Sequence, residues 1–261
     1  MILTLALVVS VTVIPLPRTP LHGFGMRGDT AYLAKPADGG GLQVERLRRS
    51  GTTWTPEYTF PQRFRGPLAV VALSDGVAIG DYEGGTIMRY RDDGSVVWKT
   101  WLRYPNRITR GPSDTVWAFF NSGVVVRKIA DSSEFEPFLG KYGQELAMPE
   151  LSDIAPRPDG GFYALDVNGI LLSVAKGGAV TILAEGLSAH GVIEARGSVY
   201  VLNVEGVAAL MKVSGGKAQT VWTAPASDEQ ATNLFALPDG RIGVVTASER
   251  AGRVYLITPG G

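Results

Sequence analysis

The stretch Ser152-Asp153-Ile154-Ala155-Pro156-Arg157-Pro158-Asp159-Gly160-Gly161-Phe162-Tyr163-Ala164-Leu165-Asp166-Val167-Asn168-Gly169-Ile170-Leu171-Leu172-Ser173-Val174 reads as three short strands joined by two tight turns. Pro158-Asp159-Gly160 separates Ile154–Ala155 from Phe162–Leu165, and Asn168-Gly169 separates Phe162–Leu165 from Ile170–Val174. Proline presets φ, aspartate and asparagine bond their own backbone, and glycine takes positive φ, so these residues turn a chain for stated reasons. The runs between them are rich in Phe, Tyr, Ile, Leu and Val, as buried strands are.

The same arrangement recurs along the chain. Comparable turns stand at Gly28-Asp29, Ser74-Asp75-Gly76, Ser113-Asp114, Arg196-Gly197 and Pro238-Asp239-Gly240. The marked positions 29, 75, 114, 159, 197 and 239 lie 46, 39, 45, 38 and 42 residues apart. That period is the one expected of propeller blades. After each turn comes an apolar run such as Ala31–Ala34, Val77–Gly80, Val116–Phe120, Val199–Leu202 or Ile242–Val245. Third strands follow at Leu42–Leu47, Thr86–Tyr90, Val124–Ile129, Ala209–Val213 and Arg253–Ile257. More polar fourth strands include Trp54–Phe60, Val96–Trp101, Val180–Ala184 and Ala218–Trp222. Polarity suits them, because the outermost strand of a blade is a partly solvated edge.

The last unit stops after its third strand, at Gly261, while Val11–Leu16 precedes the first unit as an orphan strand. Pairing the two closes a ring of blades and uses every strand once. The expected architecture is therefore an all-β, six-bladed β-propeller with four-stranded blades, its N-terminal strand closing the last blade. The blades span about 18–60, 66–103, 106–140, 150–185, 188–224 and 230–261, the last completed by 11–17. No segment keeps apolar residues at helical spacing for three turns, and a β-sandwich would have no reason to repeat at this period.

The unit from Ser152 to Val174 resembles an NHL-type blade, and the unit from Val70 to Arg91, with Ser74-Asp75-Gly76 and Asp81, is similar. The other four units match in spacing more than in residues. The resemblance implies the wider class of six-bladed propellers that includes NHL proteins and gluconolactonase-like hydrolases. It does not imply an activity, since one fold hosts many. The gluconolactonase-like class would require a divalent-metal set of Glu, Asn and Asp from several blades. Glu150, Asn121, Asn203 and Asp166 are available, but their surroundings do not match that family's motifs and its Glu-Gly-Pro start is absent. No metal ligands are assigned on that basis.

Composition narrows the partners. The chain of 261 residues has 25 Lys plus Arg against 25 Asp plus Glu, which argues against nucleic acid, whose phosphates demand a concentrated basic face. With no cysteine, disulfides, zinc–thiolate sites and Cys nucleophiles are excluded. Met1–Ile14 is apolar but shorter than a membrane span, so no transmembrane helix is expected. Residues 1–10 read as a short export signal or leader, although the first basic residue is Arg18; the other reading is more strand. The export reading places a bacterial-type protein in the periplasm or outside the cell, and the other reading places it in the cytoplasm. A monomer is expected.

Equivalent positions in different blades form rings around the channel. Seven residues before each turn marker, or six in two blades, stand His22, Leu68, Arg107, Asp153, His190 and Asn233. Both histidines of the chain fall in this ring, each followed by glycine. His22, Arg107, Asp153, His190 and Asn233 are the candidate ligand-binding residues at one mouth of the channel. Two imidazoles, a carboxylate and an amide suit metal binding or acid–base work. The plainer alternative is that His-Gly simply fits a strand beginning in a crowded channel. A second ring, Lys35, Asp81, Asn121, Asp166, Asn203 and Thr246, closes the second strands, where Asp and Asn ordinarily serve turns.

No recognisable nucleophile or cofactor motif stands out, so no cofactor is expected. The leading expectation is a non-catalytic binding or scaffold propeller presenting its polar channel face to a protein, peptide or glycan. The alternative is a metal-dependent, lactonase-like hydrolase or lyase acting at the channel mouth, the only reading that needs a divalent metal.

Overall fold

The computed structural model describes residues 10–17, 23–66, 68–102, 105, 107–120, 123–128, 134–139, 150–203, 206–225, 229–248 and 252–260. His22, Asn121, residues 1–9 and the blade limits placed at 18, 103, 106, 140 and 261 lie outside them.

Six antiparallel four-stranded sheets follow one another along the chain. Strand β1 (Ser10–Pro15) comes first, and blade 1 is then β2 (Phe24–Arg27), β3 (Thr30–Pro36), β4 (Leu42–Ser50) and β5 (Thr53–Thr59). Blade 2 is β6 (Leu68–Leu73), β7 (Gly76–Asp81), β8 (Thr86–Arg91) and β9 (Val96–Trp101). Blade 3 is β10 (Arg107–Arg110), β11 (Val116–Phe119), β12 (Val125–Lys128) and β13 (Glu136–Leu139). Blade 4 is β14 (Leu151–Pro156), β15 (Phe162–Asp166), β16 (Leu171–Val174) and β17 (Val180–Ala184). Blade 5 is β18 (Gly191–Ala195), β19 (Ser198–Asn203), β20 (Ala209–Ser214) and β21 (Lys217–Thr223). Blade 6 contains β22 (Gln230–Ala236), β23 (Ile242–Ala247) and β24 (Gly252–Thr258), and β1 supplies its fourth strand.

The closing strand pairs with β24 from Ser10 opposite Thr258 to Pro15 opposite Arg253. One further bond continues the ladder, from the Leu16 amide to the Gly252 carbonyl at 2.9 Å. The strand thus begins one residue before the expected Val11. Among the described residues the only helical element is a 3-10 turn at Pro112–Asp114, and no helix is long and apolar enough to cross a membrane.

The core is divided among six clusters, each lying between two neighbouring blades. Tyr32, Val44, Val77 and Ile79 fill the space between blades 1 and 2, and Tyr200, Leu210, Val244 and Tyr255 that between blades 5 and 6. The cluster between blades 6 and 1 holds Ile14 and Leu16 of the N-terminal segment with Phe24, Leu33, Val245 and Leu256. This follows from period-2 strands in which both faces of every sheet meet another sheet, so near-continuous apolar runs are required. Trp54, Trp98 and Trp222, all on outer strands, pack into these clusters. Trp54 also donates its indole N–H to the Pro15 carbonyl at 2.8 Å, tying blade 1 to the closing strand.

Blades 1 and 2 come unusually close at the channel. A Cβ on Gly25 would lie 2.8 Å from the Val70 carbonyl oxygen and 2.9 Å from the Ala72 nitrogen. Backbone therefore abuts backbone where β2 meets β6, which only glycine permits.

Candidate functional site

The first strands of the blades, β2, β6, β10, β14, β18 and β22, surround a central cavity of about 640 Å3. It reaches from Tyr82 and Pro105 at one end to Pro112, Pro158 and Pro238 among the first turns of the blades at the other. A volume of this order suits a small ligand or a single inserted side chain.

Near the first end, a polar bar crosses the channel. Arg107 begins β10 and reaches Asp153 on the neighbouring blade 4, Nη1 to Oδ2 at 3.3 Å. Its Nη2 donates to Oδ1 of Asn233, on blade 6. Blades 3 and 6 face each other across a six-membered ring, so this bond spans the channel rather than following its wall. Asn233 in turn donates Nδ2–H to the Phe24 carbonyl on blade 1 at 2.6 Å. Asp153 accepts the Val192 amide of blade 5 at 3.0 Å. The network thus links five of the six blades at one height.

Local backbone geometry aims these side chains. The β14–β15 ladder slips between Leu151 and Asp153, and the β22–β23 ladder slips between Ala231 and Asn233. The first-strand pairings of the other four blades are regular. A bulge adds one unpaired residue and re-aims the side chain beyond it. In both bulges the added residue bears a hydroxyl bonded back to the second strand. Ser152 Oγ donates to the Leu165 carbonyl at 3.1 Å, and Thr232 Oγ1 to the Val245 carbonyl at 3.4 Å. These are the two blades in which the ring residue stands six positions before the turn instead of seven.

Electrostatically the bar is a buried acid held by a half-exposed base. Burial pushes the Asp153 carboxyl above the usual carboxylate range, while Arg107 and the amides of Val192 and Ile154 pull against that. The Asp153 side chain is 5% exposed, against 27% for that of Arg107. A carboxylate this deep stands only with a partner of opposite charge or with its proton.

His190 stands apart from this network. It is exposed, precedes β18, bonds through its backbone amide to the Leu202 carbonyl at 3.0 Å, and does not line the cavity. Leu68, the apolar ring residue, lines the cavity beside the bar. Among the described residues no group of three His, Asp or Glu lies close enough to hold a metal ion.

The second ring consists largely of turn residues. Asp81 is buried and its two oxygens accept three backbone amides, Arg65 at 2.9 Å, Gly66 at 3.0 Å and Gly84 at 2.9 Å. Asp166 Oδ1 accepts Asn168 N at 3.0 Å and Ile170 N at 2.6 Å. Lys35 pairs with Glu45 at 2.7 Å. Thr246 donates to Glu229, a buried carboxylate that also receives Tyr255 Oη at 2.7 Å and Arg253. Asp81→Ala is expected to destabilise the protein by about 2–3 kcal/mol, because three amides lose a charged acceptor together. Urea unfolding will show this as a lower midpoint at unchanged slope. A variant as stable as the parent would remove the structural assignment.

Two features of the channel carry no plain signal in the sequence. Glu194 near the end of β18 lines the cavity, half-buried. The first turns also carry a collar of ion pairs, including Arg89–Asp75 at 2.9 Å, Arg110–Asp114 at 2.6 Å and Arg241–Asp239 at 2.7 Å, with Arg49–Asp29 and Arg157–Asp159 beside them. The Asp of these five turns is visible in the repeat, but its arginine partner stands at no fixed offset from it.

No protein-family model matches the chain, and no curated protein matches it. Solved structures do. Virginiamycin B lyase from Staphylococcus aureus is similar with a TM-score of 0.58 at 14% identity, over 96% of this chain and 99% of that one. YCF48 from Cyanidioschyzon merolae gives 0.58 at 13%, over 94% and 98%, and a chain of a nidogen/laminin complex gives 0.59 at 15%, over 78% and 80%. At such identities the likeness is one of fold, and the fold it shows is the propeller built above from the repeat.

Proposed function

We propose that this chain is a non-catalytic binding propeller that presents its polar channel to a protein, peptide or glycan. The observation that carries this reading is the channel itself. A cavity of about 640 Å3 is lined by all six blades, and Arg107, Asp153 and Asn233 converge in it from three of them. Several polar groups converging in one concavity are the common form of a ligand site. The ionisable groups of the bar are bonded to each other, which suits holding a ligand in one orientation better than transferring protons.

The repeat is read as NHL-like, the protein as an exported monomer of bacterial type, and nucleic acid is not among its partners. The balanced charge supports the exclusion of nucleic acid, and the apolar start of the chain supports the export reading.

The rival reading, a metal-dependent hydrolase or lyase at the same face, is favoured by one specific observation: one of the similar folds is a lyase. The two separate cleanly. Peptide and glycan arrays probed with the full chain are expected to give saturable binding that weakens at least tenfold in Asn233→Ala. Lactone and ester substrates with added calcium, magnesium, manganese or zinc are expected to show no turnover above the metal alone. Metal-dependent turnover lost in Asp153→Asn or His190→Ala would replace the binding reading with the rival.

A further inference from the structure

The bar divides the channel unequally. It crosses near the end marked by Pro105, and a ligand passing there must break the bonds of Arg107 to Asp153 and Asn233. Beyond it the cavity continues to the first turns, and every blade contributes a wall on that side. Met26, Ala72, Pro112, Pro158, Glu194 and Pro238 mark the six blades in order. The prolines at the rim have fixed φ, so this mouth is preformed. The walls are mainly apolar, from Met26, Val71, Ala72 and Phe235.

Four charged side chains line the cavity, and three of them have direct counter-ions. Arg107 and Asp153 hold each other at 3.3 Å, and Arg110 holds Asp114 at 2.6 Å. The Glu194 side chain makes no hydrogen bond or ion pair among the described residues. The cation that acts on it, Arg157, is already bound to Asp159 and to Ser173 Oγ at 2.7 Å, and lies 4.9 Å over the ring of Tyr163. Asp159 adds a second negative charge to the neighbourhood. Burial pushes the Glu194 carboxyl upward, with Arg157 pulling against the shift and Asp159 adding to it. An arriving cation is worth more to such a group than to a solvated one.

Resting on the channel-binding reading, we propose that the channel takes a primary ammonium group on an apolar stem, received by Glu194 from the face of the first turns, with the Arg107 bar as the floor. An alkylamine and a lysine side chain share this chemistry. The stem lies along the apolar walls and the ammonium group stops at the carboxylate.

The test is a nuclear magnetic resonance titration of the full chain with four probes. These are hexylammonium, hexanoate, hexanol and a capped Gly-Lys-Gly peptide. Hexylammonium, the lysine peptide or both are expected to shift the amides of Val192 to Ala195 and to bind at least tenfold tighter than hexanoate or hexanol. Response to the peptide alone would identify the source as a protein side chain, and response to hexylammonium alone as a small amine. Glu194→Gln, which keeps the shape of the side chain, is expected to abolish the preference. Hexanoate binding as tightly as hexylammonium overturns the inference, and so does a preference that survives Glu194→Gln. Array ligands that shift the channel amides while both amines do not would end this inference and leave the binding reading intact. If no probe and no array ligand perturbs the channel, both fall.

Discussion

A protein beginning at residue 18 is expected to melt about 10–20 °C below the full chain, because losing β1 reopens the ring. Ile14 and Leu16 are 1% and 9% exposed and belong to the cluster that joins blade 6 to blade 1. Burying two such side chains is worth about 3–6 kcal/mol, and each kcal/mol moves the melting midpoint of a protein this size by about 2–4 °C. The truncation also strips the ladder from β24, whose amides and carbonyls become an open edge prone to pairing with another chain. Scanning calorimetry is the measurement, with light scattering to detect association. Ile14→Ala, which leaves the strand in place, should lose about 2–4 kcal/mol by creating a cavity. A truncated protein that melts with the parent would show that the segment does not close the ring.

The propeller is legible in the sequence because its determinants are local and repeated. Each blade needs a tight turn after its first strand, and in five of the six an Asp, in most of them beside Gly or Pro, helps to supply it by its own backbone chemistry. A repeated local signal reports a period, and the period reports the architecture. Closure is legible for a different reason: Val11–Leu16 stands ahead of the first blade as a strand with no blade of its own, and the strand there pairs with β24.

The candidate site is less legible, and the reason lies in reach and pairing. Equal position in the repeat gives equal height in the channel, which is what groups Arg107, Asp153 and Asn233. It says nothing of how far each side chain extends. Arginine crosses the channel to the opposite blade, so Asn233 meets Arg107, while His190 on the neighbouring blade is exposed outside the cavity. The bulges before Asp153 and Asn233 leave a trace, the six-residue offset in two blades, but a bulge is a property of two paired strands. Glu194 bears no mark at all. Its place in the cavity depends on which face of β18 turns toward blade 4.

Arg107→Ala is expected to cost about 3–5 kcal/mol at neutral pH, the cost of leaving a buried carboxylate without its cation. It also frees Asn233 Oδ1 from its bond across the channel. The loss should depend on pH in a definite sense. The folded-state pKa of Asp153 is raised, so between its unfolded and folded values the native protein binds more protons than the unfolded one. Stability contributed by this group therefore falls as pH rises through that window. Removing Arg107 removes a cation that pulls the pKa down, which widens the window upward. The variant should then be most destabilised at neutral pH and recover part of the loss on acidification, as Asp153 takes up its proton. Arg107→Ala combined with Asp153→Asn should lose less than Arg107→Ala alone, because the double variant buries no charge. Urea unfolding of the three proteins from pH 5 to 8 reads all of this. A flat difference between Arg107→Ala and the parent across that range, with no rescue by Asp153→Asn, would mean that the bar is a surface ion pair and not the buried tie across the channel.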